Sequence, residues 1–217
     1  MGLDDRSSFQ PPQELIDILL PAFGPCSGFN GVCRGSVVWN PALGHVPRGF
    51  RAGTGRIDEI KLVLVCAEPG DPYEDEHCDG RTALDRLLST YRSSCWHLEE
   101  PRDRFGRNLQ EILRIAFPML SLSERMKRTW VTESVLCSAA EECGPVPRAV
   151  EAECRDRYLL AQLRLLSSAR IVALGAKAWR RLRGLPGVRF AAAAAPPEGN
   201  KPRAKMSWLR ALEGLEP

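Results

Sequence analysis

Ile60-Lys-Leu-Val-Leu-Val-Cys-Ala-Glu-Pro-Gly70 is the stretch on which the reading of this chain turns. From Ile60 to Cys66 it is apolar apart from Lys61, with no alternation of apolar and polar positions. Such a run fits a strand buried on both faces, the pattern of a central strand in a parallel sheet. It ends at Glu68-Pro-Gly-Asp-Pro72, where Pro69 and Pro72 stiffen the turn and Gly70 permits close approach to the backbone. Thr129–Leu136 also reads as a strand, and Arg170–Gly175 as a short buried one.

Segments with helical spacing separate these strands. Arg81–Tyr91 carries Leu84, Leu87 and Leu88, and Arg107–Phe117 carries Leu109, Ile112, Leu113 and Ala116. Pro147 opens a helix to about Ser167, Ala176–Leu182 is a short one, and Arg203–Leu212 is the last. Gly187–Ala193 reads as a final strand: alanine favours helix, but the flanking glycines and prolines leave little room for one. The alternation predicts an α/β fold, a three-layer α/β/α sandwich around a mainly parallel four-stranded central sheet. Gln10–Phe23 adds a short helix, and the Gly- and Pro-rich Pro25–Phe50 an irregular hairpin on the edge of the body. The expectation is a single domain over 1–217, with residues 1–55 packed on it.

Composition narrows the class. At 217 residues with 44% hydrophobic and 26% charged content, the chain is long enough to bury a core without disulfides. The charged start Met1-Gly-Leu-Asp-Asp-Arg6 lacks the apolar centre of a signal peptide, and no apolar run nears the ~20 residues that span a bilayer. A cytoplasmic protein, of a bacterial-type cytosol and associated with the nucleoid, is therefore expected, with no membrane and no obligate protein partner evident. Eight cysteines in a reducing compartment point to buried thiols, or for a subset to metal or cluster ligands, rather than to disulfides. The net charge of +3 does not by itself imply nucleic acid. The cations are mostly arginine, which suits bidentate phosphate contacts but also follows from a high-GC coding sequence.

Ligands of open parallel sheets bind beyond the carboxyl ends of the strands. Three loops leave such ends here: Ala67–Asp75, Leu136–Pro145 and Ala195–Pro202. Glu68, directly past the buried strand, is placed either to act as a base or orient a water, or simply to cap the next turn. Asp71, Glu74, Asp75, Glu76, His77 and Asp79 form an acidic run with one imidazole, read either as a solvated loop or as ligands for Mg²⁺ or Mn²⁺ in a metal-dependent hydrolase.

The ordered motifs resemble the uracil-DNA glycosylase superfamily, and within it the iron–sulfur class. That class carries a strand, Gly-Glu-Ala-Pro-Gly and an acidic pair; this chain has Leu64-Val-Cys-Ala-Glu-Pro-Gly70 and Glu74-Asp75. A strand ending Thr-Asn-x-Val-x-Cys corresponds to Thr132-Glu-Ser-Val-Leu-Cys137. A helix with Cys-Arg-x-x-Tyr-Leu, leading to Val-x-Ala-Leu-Gly-x-x-Ala, corresponds to Cys154-Arg-Asp-Arg-Tyr-Leu159 and Ile171–Ala178. Order and spacing agree from about Ile60 to Trp208.

The resemblance implies an enzyme of DNA repair that flips a deaminated or damaged base out of the stack and hydrolyses its N-glycosidic bond. Glu68 would then stand where other classes have a water-activating aspartate. Ala67, Pro69, Gly70, Tyr73, Phe105 and Glu133 would line the base pocket, Phe105 stacking on the base or else packing in the core. Glu133 replaces an asparagine that reads the uracil edge, and a carboxylate cannot donate unless protonated, so altered specificity is expected. Ala195 stands in place of a histidine that stabilises the departing base, a loss on the order of 100–1,000-fold in rate. Asn200 or Lys201 would be the substitutes. Ala195, Pro196, Pro197, Asn200, Lys201 and Arg203 would form a loop gripping DNA phosphates.

The same resemblance makes Cys137 and Cys154 two ligands of a [4Fe–4S] cluster, with Cys26 and Cys33 the available N-terminal pair. That pair is more widely spaced than the family's Cys-x-x-Cys, which fits either a retained cluster or a lost one. Cys66, Cys78, Cys95 and Cys143 are read as non-ligands. A non-catalytic DNA-binding protein of the same fold is the alternative to the enzyme.

Overall fold

A computed structural model of the chain describes residues 9–76, 78 and 82–215. Its regular elements are α1 (Gln13–Leu19), β1 (Arg51–Ala52), β2 (Leu62–Cys66), α2 (Ala83–Glu99), α3 (Arg104–Ala116), α4 (Leu122–Lys127), β3 (Thr129–Glu133), α5 (Arg148–Cys154), α6 (Leu160–Leu165), β4 (Arg170–Leu174), α7 (Ala176–Arg181), β5 (Arg189–Ala191) and α8 (Pro202–Leu212). A π-helical turn, Arg155–Leu159, joins α5 to α6.

The five strands lie in the order β1-β3-β2-β4-β5. β2 pairs in parallel with β3 and β4, with Leu64 beside Val131 and Val172, and β4 pairs in parallel with β5. All residues of β2 and β3 are buried, as the unbroken apolar run of β2 requires, and in β3 this includes Thr129, Thr132 and Glu133. Both α2 and α8 pack on α3, while α1 packs on α6. The α/β sandwich and its mainly parallel sheet are thus observed.

Three details differ from expectation. The sheet has a fifth strand: Arg51–Ala52 pairs antiparallel to β3, and the Tyr91 hydroxyl donates to the Ala52 carbonyl at 2.7 Å. Ala52 sits at φ +62°, a tertiary constraint with no local sequence signal. Within residues 25–50 the hairpin pairing is confined to Asn40 and His45, across the turn between them. The segment runs through short 3₁₀ turns, and Val37 bridges Ala139 beyond β3 instead of a partner within the segment. The helix expected from Pro147 to Ser167 is interrupted by the π turn directly after Cys154.

Topology fixes where a ligand can sit. From β2 the chain crosses to β3 on one side, whereas β4 lies on the other side of β2 and leads outward to β5. Neighbouring strands β2 and β4 therefore send their carboxyl-end connections in opposite directions, which opens a crevice between them. Glu68 follows β2, and α7 follows β4. Gly175 makes the β4–α7 turn at φ +92°, and an added Cβ would press on Ala193 Cβ at 3.0 Å.

Candidate functional site

The crevice is occupied by a network of paired charges. Glu68 is nearly buried, its side chain 8% exposed, between two cations of α7. Lys177 Nζ donates to Oε1, and Arg181 Nη2 lies 2.6 Å from Oε2. Lys177 also reaches the Gly144 carbonyl at 3.2 Å, latching the loop after β3 to the loop after β2. Arg181, its side chain 2% exposed, donates from Nε to Glu151 Oε1 at 2.8 Å and from Nη1 to the Ala67 carbonyl at 2.6 Å and to Ser134 Oγ at 3.0 Å. Arg180 completes the group by pairing with Glu151. Buried charges need partners, and each charge here has one, although the Arg181 Nη2–Glu68 Oε2 contact is an ion pair without a hydrogen bond. Two serines fasten the same loop: Ser134 Oγ donates to Ala67 O at 2.7 Å, and Ser138 Oγ to Gly70 O at 2.9 Å.

Glu133, at the end of β3 beside Cys66, is 3% exposed, and its Oε2 has no hydrogen-bond partner. Burial pushes its carboxyl well above the ordinary value of 4.5, and the charge of Glu68 adds to this, against the opposing pull of Arg51, Arg181 and Arg48. A neutral carboxylic acid offers an O–H donor beside a carbonyl acceptor, the same pair of functions as an asparagine amide. Gly49, at φ +89°, lies so close that an added Cβ would collide with the Glu133 side chain.

Phe105 is joined to this region through Arg51, whose guanidinium lies over the ring, 5.3 Å from its centre. One face of the ring expected to receive a base thus carries an arginine. Tyr73 is tied elsewhere: its hydroxyl donates to Asp103 at 2.8 Å, His97 packs on its ring edge, and Arg102 lies over its face. Burial, then the Asp103 bond, push the phenol up to about 12. The acidic run is similarly engaged. Asp75 takes two hydrogen bonds from Arg102, and Glu76 takes one from Arg48 at 2.5 Å and one from Ser93 at 2.9 Å. His77 and Asp79 lie outside the described residues. Among the described residues, no three His, Cys, Asp or Glu side chains are grouped as ligands of a single metal ion.

The loop after β5 is held at its base, where Asn108 Nδ2 donates to Ala194 O at 2.7 Å and lies 3.4 Å from Asn200 Oδ1. Gly199 N donates to Ala195 O at 2.9 Å. Lys201 and Arg203 both pair with Glu198, at 2.9 and 3.2 Å, so these basic groups are partly neutralised within the loop itself.

The four cysteines singled out from the sequence come together. Cys26, Cys33, Cys137 and Cys154 line one cavity of about 20 Å³, with Phe29, Val135 and Tyr158 in its wall. An added Cβ on Gly28 would lie 2.8 Å from Cys33 Sγ and 3.2 Å from Cys26 Sγ, so only glycine fits between those thiols. Backbone N–H groups point at two sulfurs, Gly28 N at Cys26 Sγ (3.2 Å) and Leu136 N at Cys154 Sγ (3.4 Å), and the Tyr158 hydroxyl bonds to Cys26. Burial, reinforced by the neighbouring thiols, pushes Cys33 up to about 11 and Cys137 well above its ordinary value. Burial likewise takes Cys154 up to about 12, against the pull of the Leu136 N–H bond. Four soft donors thus line one small cavity, with backbone N–H groups directed at two of the sulfurs. The other four cysteines lie outside this cavity.

Sequence reasoning missed Lys177, Arg181, Glu151 and Arg51. A signal existed for the first two: cations four residues apart on the short helix after β4 share one face, opposite a strand-end acid. No protein-family model matches the chain, and no curated protein matches it.

Proposed function

We propose that the chain is a DNA glycosylase of the uracil-DNA glycosylase type with altered specificity, carrying a [4Fe–4S] cluster on Cys26, Cys33, Cys137 and Cys154. The observation that carries this reading is the convergence of those four cysteines on one cavity. The resemblance requires them to meet, and they come from positions as far apart as 26 and 154. The cluster, when bound, would supply a structural tie between the N-terminal segment and the sheet. Because burial pushes the Cys33, Cys137 and Cys154 thiols toward the neutral form, loading would release protons.

A flipped base would enter the β2/β4 crevice, with the carboxylic acid of Glu133 donating to and accepting from its edge. Water adds to C1′ of the sugar as the N-glycosidic bond breaks and the base leaves with the bonding pair. Glu68 would orient that water and balance the positive charge that develops on the sugar. Phe105 would stack on the base once Arg51 turns from its face. At Ala195 nothing donates from the side chain, and Lys201 is engaged by Glu198, so Asn200 is the better-placed substitute. Partners are DNA strands bearing a deaminated or damaged base. Among the described residues, no helix is long and apolar enough to cross a membrane.

A specific observation favours a second reading, a non-catalytic DNA-binding protein of the same fold: both oxygens of Glu68 already face cations. One experiment separates the two. Oligonucleotides bearing uracil, hypoxanthine, xanthine or 5-hydroxymethyluracil are incubated with anaerobically purified protein, and abasic sites are scored by strand cleavage. The enzyme reading expects abasic sites from at least one of them, with Glu68→Gln slower by about tenfold or more. Binding without abasic sites at long incubation sinks it in favour of the second reading.

A further inference from the structure

We propose that Arg181 is the positioning residue of Glu68, and that through Glu151 it makes the β2 loop follow the position of the cysteine-bearing helix α5. The inference rests on the preceding reading only in taking Glu68 as the working carboxylate. Its basis is the geometry of a single buried guanidinium. Arg181 contacts three elements at once: Glu151 of α5, Ser134 beyond β3, and both Ala67 O and the Glu68 carboxylate beyond β2. A guanidinium is planar and rigid, so fixing its Nε on Glu151 fixes where Nη1 and Nη2 point. Glu151 lies one helical turn before Cys154 on α5, and a shift of that turn is therefore delivered to Glu68 as a rotation of one flat group. Lys177, by contrast, is 42% exposed and reaches Glu68 on a flexible stem, which suits a latch rather than a gauge.

The test avoids deleting Arg181, because that would leave Glu68 and Glu151 buried without their shared cation. Glu151→Gln keeps the shape and an acceptor oxygen but removes the charge of the far anchor, which Arg180 also shares. Arg181→Lys keeps the charge and removes the fork. Amide hydrogen exchange is followed by mass spectrometry in the intact wild-type protein and both variants. The expected result is exchange faster by about tenfold or more at residues 66–70 and at Ser134 and Val135, whose amides donate to Cys66 O and Ala67 O. Segments in β5 and α8 should stay within about twofold of wild type. Where base excision is measurable, Glu151→Gln should lower kcat and leave KM unchanged, since it touches only the aim of Glu68.

Unchanged exchange at 66–70 in Glu151→Gln overturns the coupling, whether or not the protein excises any base. A uniform rise that includes α8 also overturns it, because Glu151 would then be a general stabiliser. Wild-type behaviour of Arg181→Lys overturns the role given to the fork. A negative excision assay with the local exchange effect intact would instead remove the glycosylase reading and leave the positioning role standing.

Discussion

The carboxylate network of the β2/β4 crevice and the cysteine cavity are neighbours joined by α5, yet their electrostatics are opposite. Around Arg181 every charge has a partner, and the hydrogen bonds run from side chain to backbone and across three elements. Around the cysteines four thiols line one cavity, and three of them, Cys33, Cys137 and Cys154, are pushed toward the neutral form chiefly by burial. The first region is paired charge by charge and holds a geometry. The second is a set of soft donors whose acidity changes as soon as a cation is present. The contrast teaches that buried polar groups are arranged here in two different ways: one set is tied into a network of ion pairs across three elements, and the other is four thiols around a cavity.

The largest effect expected concerns the four thiols. Protein purified without oxygen should be brown and hold about four irons per chain, and Cys154→Ser should lose most of the visible absorption. Cys78→Ser, at a buried thiol outside the cavity, should keep it. An iron-free, colourless wild type would break the comparison at its root, for the cavity would then be four core cysteines and nothing more.

A smaller effect tests whether Glu133 belongs with the paired network or stands apart from it. Its carboxyl is raised above 4.5, so the folded state holds the proton more tightly than the unfolded chain. The stability that follows is complete below about 4.5 and declines as pH climbs toward the raised value. His97 acts in the opposite sense. Burial, against the pull of Glu76, lowers it to about 4 from 6.5, so its contribution is present above 6.5 and lost as pH falls toward 4. Cys66, raised above 9.0 chiefly by burial, enters only in alkali. Between pH 6.5 and 9 the slope attributable to Glu133 is therefore isolated from both. Glu133→Gln should flatten it and raise the melting temperature at pH 8 by about 2–4 °C, the shift expected for roughly 1 kcal/mol in a chain of this size. Equal melting curves for the two proteins across that window would show Glu133 ionised and part of the paired network.

Legibility in the sequence divides along the same line. Leu62–Cys66 was readable because a strand buried on both faces is apolar throughout, and Thr129–Glu133 and Arg170–Leu174 through their β-branched and apolar residues. Arg51–Ala52 was not, since two residues carry no period and the positive φ of Ala52 is imposed by its neighbours. Nor was the π turn after Cys154, which interrupts a segment whose helical spacing continues through it. In the site, Glu68 was visible from its place after β2, but its partners lie 109 and 113 positions further along and only folding brings them near. The cysteines were grouped through a resemblance, not through spacing. Phe105 was visible as a ring at the start of a helix, whereas the Arg51 guanidinium on its face was not.

The smallest effect sharpens the comparison from a third place, the loop after β5, where a charge network lies at the surface. Lys201 and Arg203 share Glu198, whose carboxyl is held below its usual range by the hydrogen bonds from those two cations. Exposed pairs contribute little to stability, so Glu198→Gln should change the melting temperature negligibly. If the loop grips phosphates, however, freeing two cations should tighten binding to single-stranded oligonucleotides and steepen its dependence on salt, by about one counterion for each added phosphate contact. Lys201→Ala with Arg203→Ala should move both quantities the other way. Identical salt slopes for wild type and the two variants would mean that the loop faces away from the strand, and that Glu198 ties two cations together for the sake of the loop's own shape.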